Sequence, residues 1–172
     1  MLPLDTQLRF GFSAGFASAP AARATVQLAE RLGFDSLWVG DHVAFPMPIL
    51  DPLLQLALAA GHSDRLTFGT SVYLVPLRHP VLIAKQVATL DLLCGGRFVF
   101  GVGVGGEFAR EFEAVGVPVK ERGARVSEAL PLLRRLWSGE PVAHAGRFHT
   151  FPEVRLLPVP AQPGGPPLWC GG

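Results

Sequence analysis

Short apolar runs alternate with longer helical stretches along this chain, and glycines and prolines mark the joins. Residues 8–12 form the first apolar run and predict a strand. A small-residue loop leads to Pro20, which suits the first turn of a helix, where a missing N–H costs nothing. Arg23, Gln27, Glu30 and Arg31 then share one helical face, Val26, Leu28, Ala29 and Leu32 make the other, and Gly33 closes the helix. Residues 36–40 predict a second strand. After a loop with Pro46 and Pro48, Asp51 and Pro52 open a helix to Gly61 in which only Gln55 is polar. Residues 66–72 predict a third strand, and Gly69 with the polar pair Thr70-Ser71 predicts a bulge near its end. Pro80 opens a helix to Leu93. The fourth run, Phe98-Val99-Phe100, dissolves into glycines at 101, 103, 105 and 106, which leave room for another backbone or a flat ligand. A turn of helix near Phe108 and Phe112 precedes a helix from about Arg122 to Trp137, where Pro131 is expected to kink the helix or break a hydrogen bond. Residues 146–149 and 154–157 read as the strands of a hairpin, and 168–172 as the start of a fifth strand.

Strands separated by helices imply parallel pairing with crossover connections. A doubly wound open sheet and a (β/α)8 barrel of the TIM type both allow that order. A complete barrel takes about 250 residues, so 172 residues would hold roughly its first half, four β/α units plus the start of a fifth strand. The length predicts one domain over residues 1–172; on the barrel reading it would be a partial barrel truncated at its C-terminus, and the open sheet stays the alternative.

The composition is apolar, 49% hydrophobic and 17% charged, and the net charge is +1. No basic run reaches the length of a nucleic-acid or membrane-surface patch, and no unbroken apolar stretch would span a bilayer. The amino end lacks the pattern of a secretory signal. Cys94 and Cys170 have no metal-ligand spacing, and a chain with two thiols fits a cytoplasmic setting. No metal site is expected.

Candidate chemistry sits where strands end. Asp41 and His42 follow the second strand, on the side where α/β proteins bind ligands. Arg78 and His79 stand at a helix entrance and would line the same end of the sheet. Gly101-x-Gly103-x-x-Gly106 fits the dinucleotide fingerprint, but it lies mid-chain without the immediate helix and following acidic strand end that the fingerprint needs. An open-sheet nucleotide-binding protein is therefore an alternative.

Several segments together resemble the luciferase-like monooxygenases, especially the branch that uses the deazaflavin coenzyme F-420. They are residues 32–42 (LGFDSLWVGDH), Arg78-His79-Pro80 with 84–91 (AKQVATLD), Gly95-Gly96-Arg97 with 101–105 (GVGVG), Arg122-Gly123-Ala124-Arg125, and 167–172 (PLWCGG). The resemblance covers essentially the whole chain. It implies a (β/α)8 barrel with coenzyme F-420, or FMN as the alternative, across the C-terminal mouth. Hydride would move between that ring and a small organic substrate. It also implies a non-prolyl cis peptide at the third-strand bulge, between Ser71 and Val72. Thr70, Ser71, Val72, Gly103 and Gly105 match the ring-contacting positions. Asp41 and His42 would face the ring, with His42 as proton donor or acceptor and Asp41 orienting it or accepting from the ring. Glu107 stands near the family's acidic position as a second catalytic candidate. Val104 replaces an arginine of the bacterial luciferases, which argues against luciferase chemistry itself and for F-420 over FMN. The other reading is a truncated, non-catalytic remnant that dimerises or binds flavin without turnover.

The helices over 53–60 and 80–93 are apolar on nearly every face, and an outer helix needs a wet side unless something covers it. A homodimer through these helices is expected, with Leu54, Leu58, Leu82 and Gln86 in contact.

Overall fold

Strands laid side by side in chain order organise the computed structural model, which describes residues 8–171. The elements are β1 (Gly11–Ser13), α1 (Ala19–Leu32), β2 (Ser36–Val39), α2 (Pro52–Ala60), β3 (Thr67–Thr70), β4 (Tyr73–Leu74), α3 (Pro80–Leu93), β5 (Phe98–Gly103), α4 (Ala109–Ala114), α5 (Arg122–Trp137), β6 (Val142–Ala145), β7 (Thr150–Val154) and β8 (Leu168–Cys170). β1 pairs with β2, β2 with β3, and β5 with β8, all parallel. β3 and β4 are two halves of one strand beside β5, through Phe68↔Phe98 and Tyr73↔Val102. The break between them is the bulge expected at Thr70-Ser71, and the Ser71–Val72 peptide is cis. The strand order never reverses, so no switch point of a doubly wound sheet forms. The arrangement is a partial (β/α)8 barrel, and the dinucleotide reading falls with the open sheet.

Alternation along each strand separates two faces. Leu37, Val39, Phe68, Phe98, Phe100 and Val102 are buried under Val26, Leu56, Ile83, Val87, Leu133 and Leu136 of the helices. Removing a buried aromatic such as Phe100 costs about 3–5 kcal/mol, so this outer layer dominates the stability. Ser36, Trp38, Thr67, Val99, Gly101 and Trp169 line a concave groove of about 690 Å³ on the other face. Trp38 stacks on Trp169 there at 5.1 Å between ring centroids. Gly69 accommodates the Trp38 ring, which would lie 2.2 Å from any Cβ at that position.

Several expectations shift. The first strand is Gly11–Ser13 rather than 8–12, and Leu8 and Phe10 are exposed. In α1 the buried stripe is Ala22, Val26 and Ala29, while Leu28 and Leu32 face outward. Gln55 is 3% exposed although it is the polar residue of α2. Its Oε1 accepts from the Phe16 N–H (2.8 Å) and its Nε2 donates to Leu50 O (2.7 Å), tying two loops together. α5 runs through Pro131 without a break, with that residue on its exposed side. The hairpin strands are β6 and β7, antiparallel. Residues 146–149 are not a strand but the turn between them, because Glu128 of α5 accepts from the backbone N–H groups of Arg147, Phe148 and His149. The fifth strand forms at β8; Gly172 of its motif lies outside the described residues.

Candidate active site

The C-terminal ends of β2, β4, β5 and β8 converge on a cavity of about 400 Å³. Gly40, Asp41, His42, Ser71, Val72, Leu74, the stretch from Gly103 to Phe108, Glu111 and Gly171 line it. β2 runs out at Val39, β4 at Leu74, β5 at Gly103 and β8 at Cys170, and residues at or just past those ends line the cavity.

Asp41 is 4% exposed, and its carboxylate is committed. Oδ2 accepts from the Leu74 N–H at 2.8 Å, and the Arg78 guanidinium donates to both oxygens, at 2.5 and 2.8 Å. Such forked pairs are strong and direction-specific. Burial works against the Arg78 charge, but the hydrogen bonds and attraction of Asp41 outweigh it and raise its pKa. The guanidinium also lies 4.3 Å over the buried Tyr73 ring. Asp41 and Arg78 thus join the β2 loop to the strand that follows the bulge. The expectation that Asp41 orients His42 is corrected: its oxygens already have other donors.

His42 is oriented instead by Glu111, which the sequence reading missed. Nδ1 of His42 lies 2.7 Å from Glu111 Oε1, and Glu111 Oε2 accepts from the Val43 N–H at 2.6 Å. The Glu111 side chain is 2% exposed and that of His42 24%. Burial tends to raise the Glu111 pKa, yet the hydrogen bonds from His42 and the Val43 N–H hold it below the usual carboxylate range. The His42 ring stacks on Phe45 with centroids 3.9 Å apart, and Phe108 meets Phe45 edge-on. The imidazole is therefore fixed in place and in angle.

The remaining predicted positions divide. Ser71, Val72, Gly103 and Gly105 line the same cavity as His42. Glu107 does too, but as an exposed residue at its edge. Thr70 is not brought there: it is buried behind the bulge, and its Oγ1 donates to Gly101 O at 2.7 Å. The expected room at the glycines is also partly taken by the chain itself. A Cβ on Gly101 would sit 1.9 Å from Thr70 O, and one on Gly103 would sit 2.3 Å from Val72 Cγ2. Gly105 and Gly106, with φ of 60° and 109°, are packed closely too: a Cβ on Gly105 would sit 3.0 Å from Leu74 Cδ2, and one on Gly106 2.9 Å from Arg122 Nε. His79 caps α3, accepting from the Val81 N–H, and meets His149 edge-on rather than entering the cavity.

Comparison with known proteins agrees with the partial-barrel fold. Residues 6–172 match the family model described as luciferase-like monooxygenase. The chain is 32% identical over 146 residues to the oxygenase component of flavin-dependent trigonelline monooxygenase from Acinetobacter baylyi, covering 83% of the chain and 40% of that protein. It is 35% identical over 166 residues to the F-420-dependent glucose-6-phosphate dehydrogenase of Kineococcus radiotolerans, covering 91% of the chain and 49% of that protein. Among solved structures, a monooxygenase from Streptomyces bottropensis superposes with a TM-score of 0.84 at 30% identity, over 95% of the chain and 53% of that structure. An F-420-dependent secondary alcohol dehydrogenase, solved with an F-420–acetone adduct, gives 0.82 at 26% identity, over 95% and 52%. The chain spans about half the length of the relatives it matches.

Proposed function

This chain belongs to the luciferase-like monooxygenase family, and on that premise we propose that it serves a flavin- or deazaflavin-dependent oxidoreductase acting on a small organic substrate, with coenzyme F-420 as the cofactor. The observation that carries the reading is a fixed imidazole facing a glycine-walled cavity at the strand ends. Gly40, Gly103, Gly105, Gly106 and Gly171 give that cavity low walls, and the Ser71–Val72 bulge lies among them. Such a surface fits a flat ring. Ser71, Val72, Gly103 and Gly105 would hold the ring, and Asp41 would stabilise the loop beneath it through Arg78. A bound deazaflavin or flavin supplies a two-electron hydride acceptor or donor.

The protein's part is to place the substrate and handle its proton. His42 Nε2 is the ring nitrogen not engaged by Glu111, and it would take a proton from a substrate hydroxyl or return one in the reverse direction. Phe45 shields His42 on one side, and Phe108, which meets Phe45 edge-on, would give the substrate an apolar wall. Glu107 at the edge is the second acid–base candidate. F-420 is preferred over FMN because Val104 stands among the glycines where an arginine would favour luciferase-type flavin chemistry; F-420-dependent relatives cover 91% and 85% of the chain and a flavin-dependent one 83%. We place the protein in the cytoplasm as a homodimer through α2 and α3; no helix among the described residues is long and apolar enough to cross a membrane.

Titrating purified protein with F-420 and, separately, with FMN tests this. Saturable quenching of F-420 fluorescence, tighter than any FMN response, is the expected result. Tighter FMN binding would reassign the cofactor. A folded protein that binds neither would contradict the proposal.

A further inference from the structure

We propose that Glu111 is a positioning residue that locks His42 as its Nδ1–H tautomer, so that Nε2 meets the cavity as a bare acceptor. The functional half of this rests on His42 handling the substrate proton; the structural half stands without it.

The two residues are 69 positions apart in the chain and on different elements. Glu111 lies in the first turn of the short helix α4, and His42 lies just past β2. One carboxylate oxygen meets His42 Nδ1 at 2.7 Å. The other accepts from the Val43 N–H at 2.6 Å and lies 3.5 Å from the Ala44 N–H. Backbone N–H groups can only donate, so the carboxylate is an acceptor on that side. The same contacts hold its pKa below the ordinary range despite burial, which leaves it ionised, and acceptor-only, near neutral pH. An ionised carboxylate against Nδ1 requires a proton on Nδ1. A neutral imidazole carries one N–H, so Nε2 then has its lone pair free. Stacking on Phe45, with the ring planes 20° apart, supports the orientation in which Nδ1 faces Glu111.

The consequence is directional. A neutral His42 accepts a proton from the cavity and cannot give one; once protonated, it is an imidazolium paired with the Glu111 charge. The site is set up to receive a hydroxyl proton first. Glu111→Gln reverses this. Its amide oxygen can keep the Val43 N–H, but its NH₂ then faces Nδ1 as a donor, and the imidazole proton moves to Nε2. Glu111→Asp keeps an acceptor-only group.

Nitrogen-15 labelling of the histidines in the whole chain, with ring-correlation NMR spectra at about pH 8, where an ordinary imidazole is neutral, reads the tautomer directly. The His42 signals are assigned by their loss in His42→Ala. The wild type should show Nδ1 protonated and Nε2 bare. Glu111→Gln should exchange the two patterns, and Glu111→Asp should retain the wild-type one. A wild-type Nε2–H tautomer overturns the proposal, whether or not the variants fold. An unchanged pattern in folded Glu111→Gln overturns it as well. Failure of the wild type to bind F-420 or FMN would sink the oxidoreductase reading and leave the tautomer result standing.

Discussion

Asp41 and His42 are neighbours in the chain but are held by different partners and do different work. Asp41 is spent on Arg78 and the Leu74 N–H, which fixes the loop. His42 is gripped by Glu111 through one nitrogen, which leaves Nε2 for the proposed proton transfer. His42→Ala should therefore lower turnover about a hundredfold, the usual worth of a general acid or base, with little change in cofactor affinity; steady-state rates beside a binding titration check this. If turnover is unchanged, His42 is a packing residue and Glu107 becomes the candidate. The Asp-His pair was legible because polar residues ending an apolar strand stand out locally. Glu111 was not. It lies among Glu107, Arg110 and Glu113 in a stretch that reads as a solvated helix, and its burial comes from a contact 69 residues away. Thr70 shows the converse: a polar residue at the right place whose hydroxyl is taken by a neighbouring carbonyl.

The helices and the hairpin carry the features that sequence patterning half revealed. Proline and glycine marked the ends of α1, α2 and α3 closely, since caps are local chemistry. The hairpin was misplaced because its turn has apolar and polar residues in strand-like alternation, and its conformation depends on Glu128 of another element. That docking is acid-sensitive. Burial tends to raise the Glu128 pKa, but the hydrogen bonds from His144 and the turn's N–H groups lower it overall. His149 is lowered by burial and by the neighbouring His79. His144, His79, Arg125 and Arg147 are the other ionisable groups around the turn. The signs agree. As pH falls through the unfolded histidine value of about 6.5, the unfolded chain takes up a proton before His149 does, and stability declines. Below the unfolded carboxylate value of about 4.3, the contributions of Glu128 and Glu111 are lost in turn. Thermal melts across this range should show Tm falling on acidification, with the step near neutrality flattened in His149→Gln; a Tm independent of pH would refute it. On the outer surface, Leu54, Leu58 and Leu82 are 73%, 39% and 62% exposed, and Gln86 is exposed beside them. α2 packs on α3, so these side chains sit on adjoining ridges. Replacing both Leu58 and Leu82 with glutamate should convert a dimer to monomer or aggregate by light scattering. A wild type already monomeric at micromolar concentration would remove the interface.

At the scale of the molecule, the strand order decides what the glycine-rich stretch means. On the first strand of an open sheet it would cradle a dinucleotide; on β5, flanked by β4 on one side and β8 on the other, it forms part of a barrel rim. The order of strands and helices was readable because short apolar runs bounded by glycine and proline give way repeatedly to helical spacing. Whether the sheet stays open or curls was not, since that depends on which strands pair; the motif resemblance decided it. Among the described residues two concave regions lie against the sheet: the groove beside Trp38 and Trp169 inside the barrel, and the cavity at the strand ends with His42. The cofactor is proposed to bind in the second. Amide hydrogen exchange across the whole chain, with and without saturating F-420, tests that assignment most directly. Protection should appear over residues 41–45 and 103–108, and not over 36–38 or 168–170. Protection confined to the inner groove, or none at all under saturating cofactor, would contradict the account.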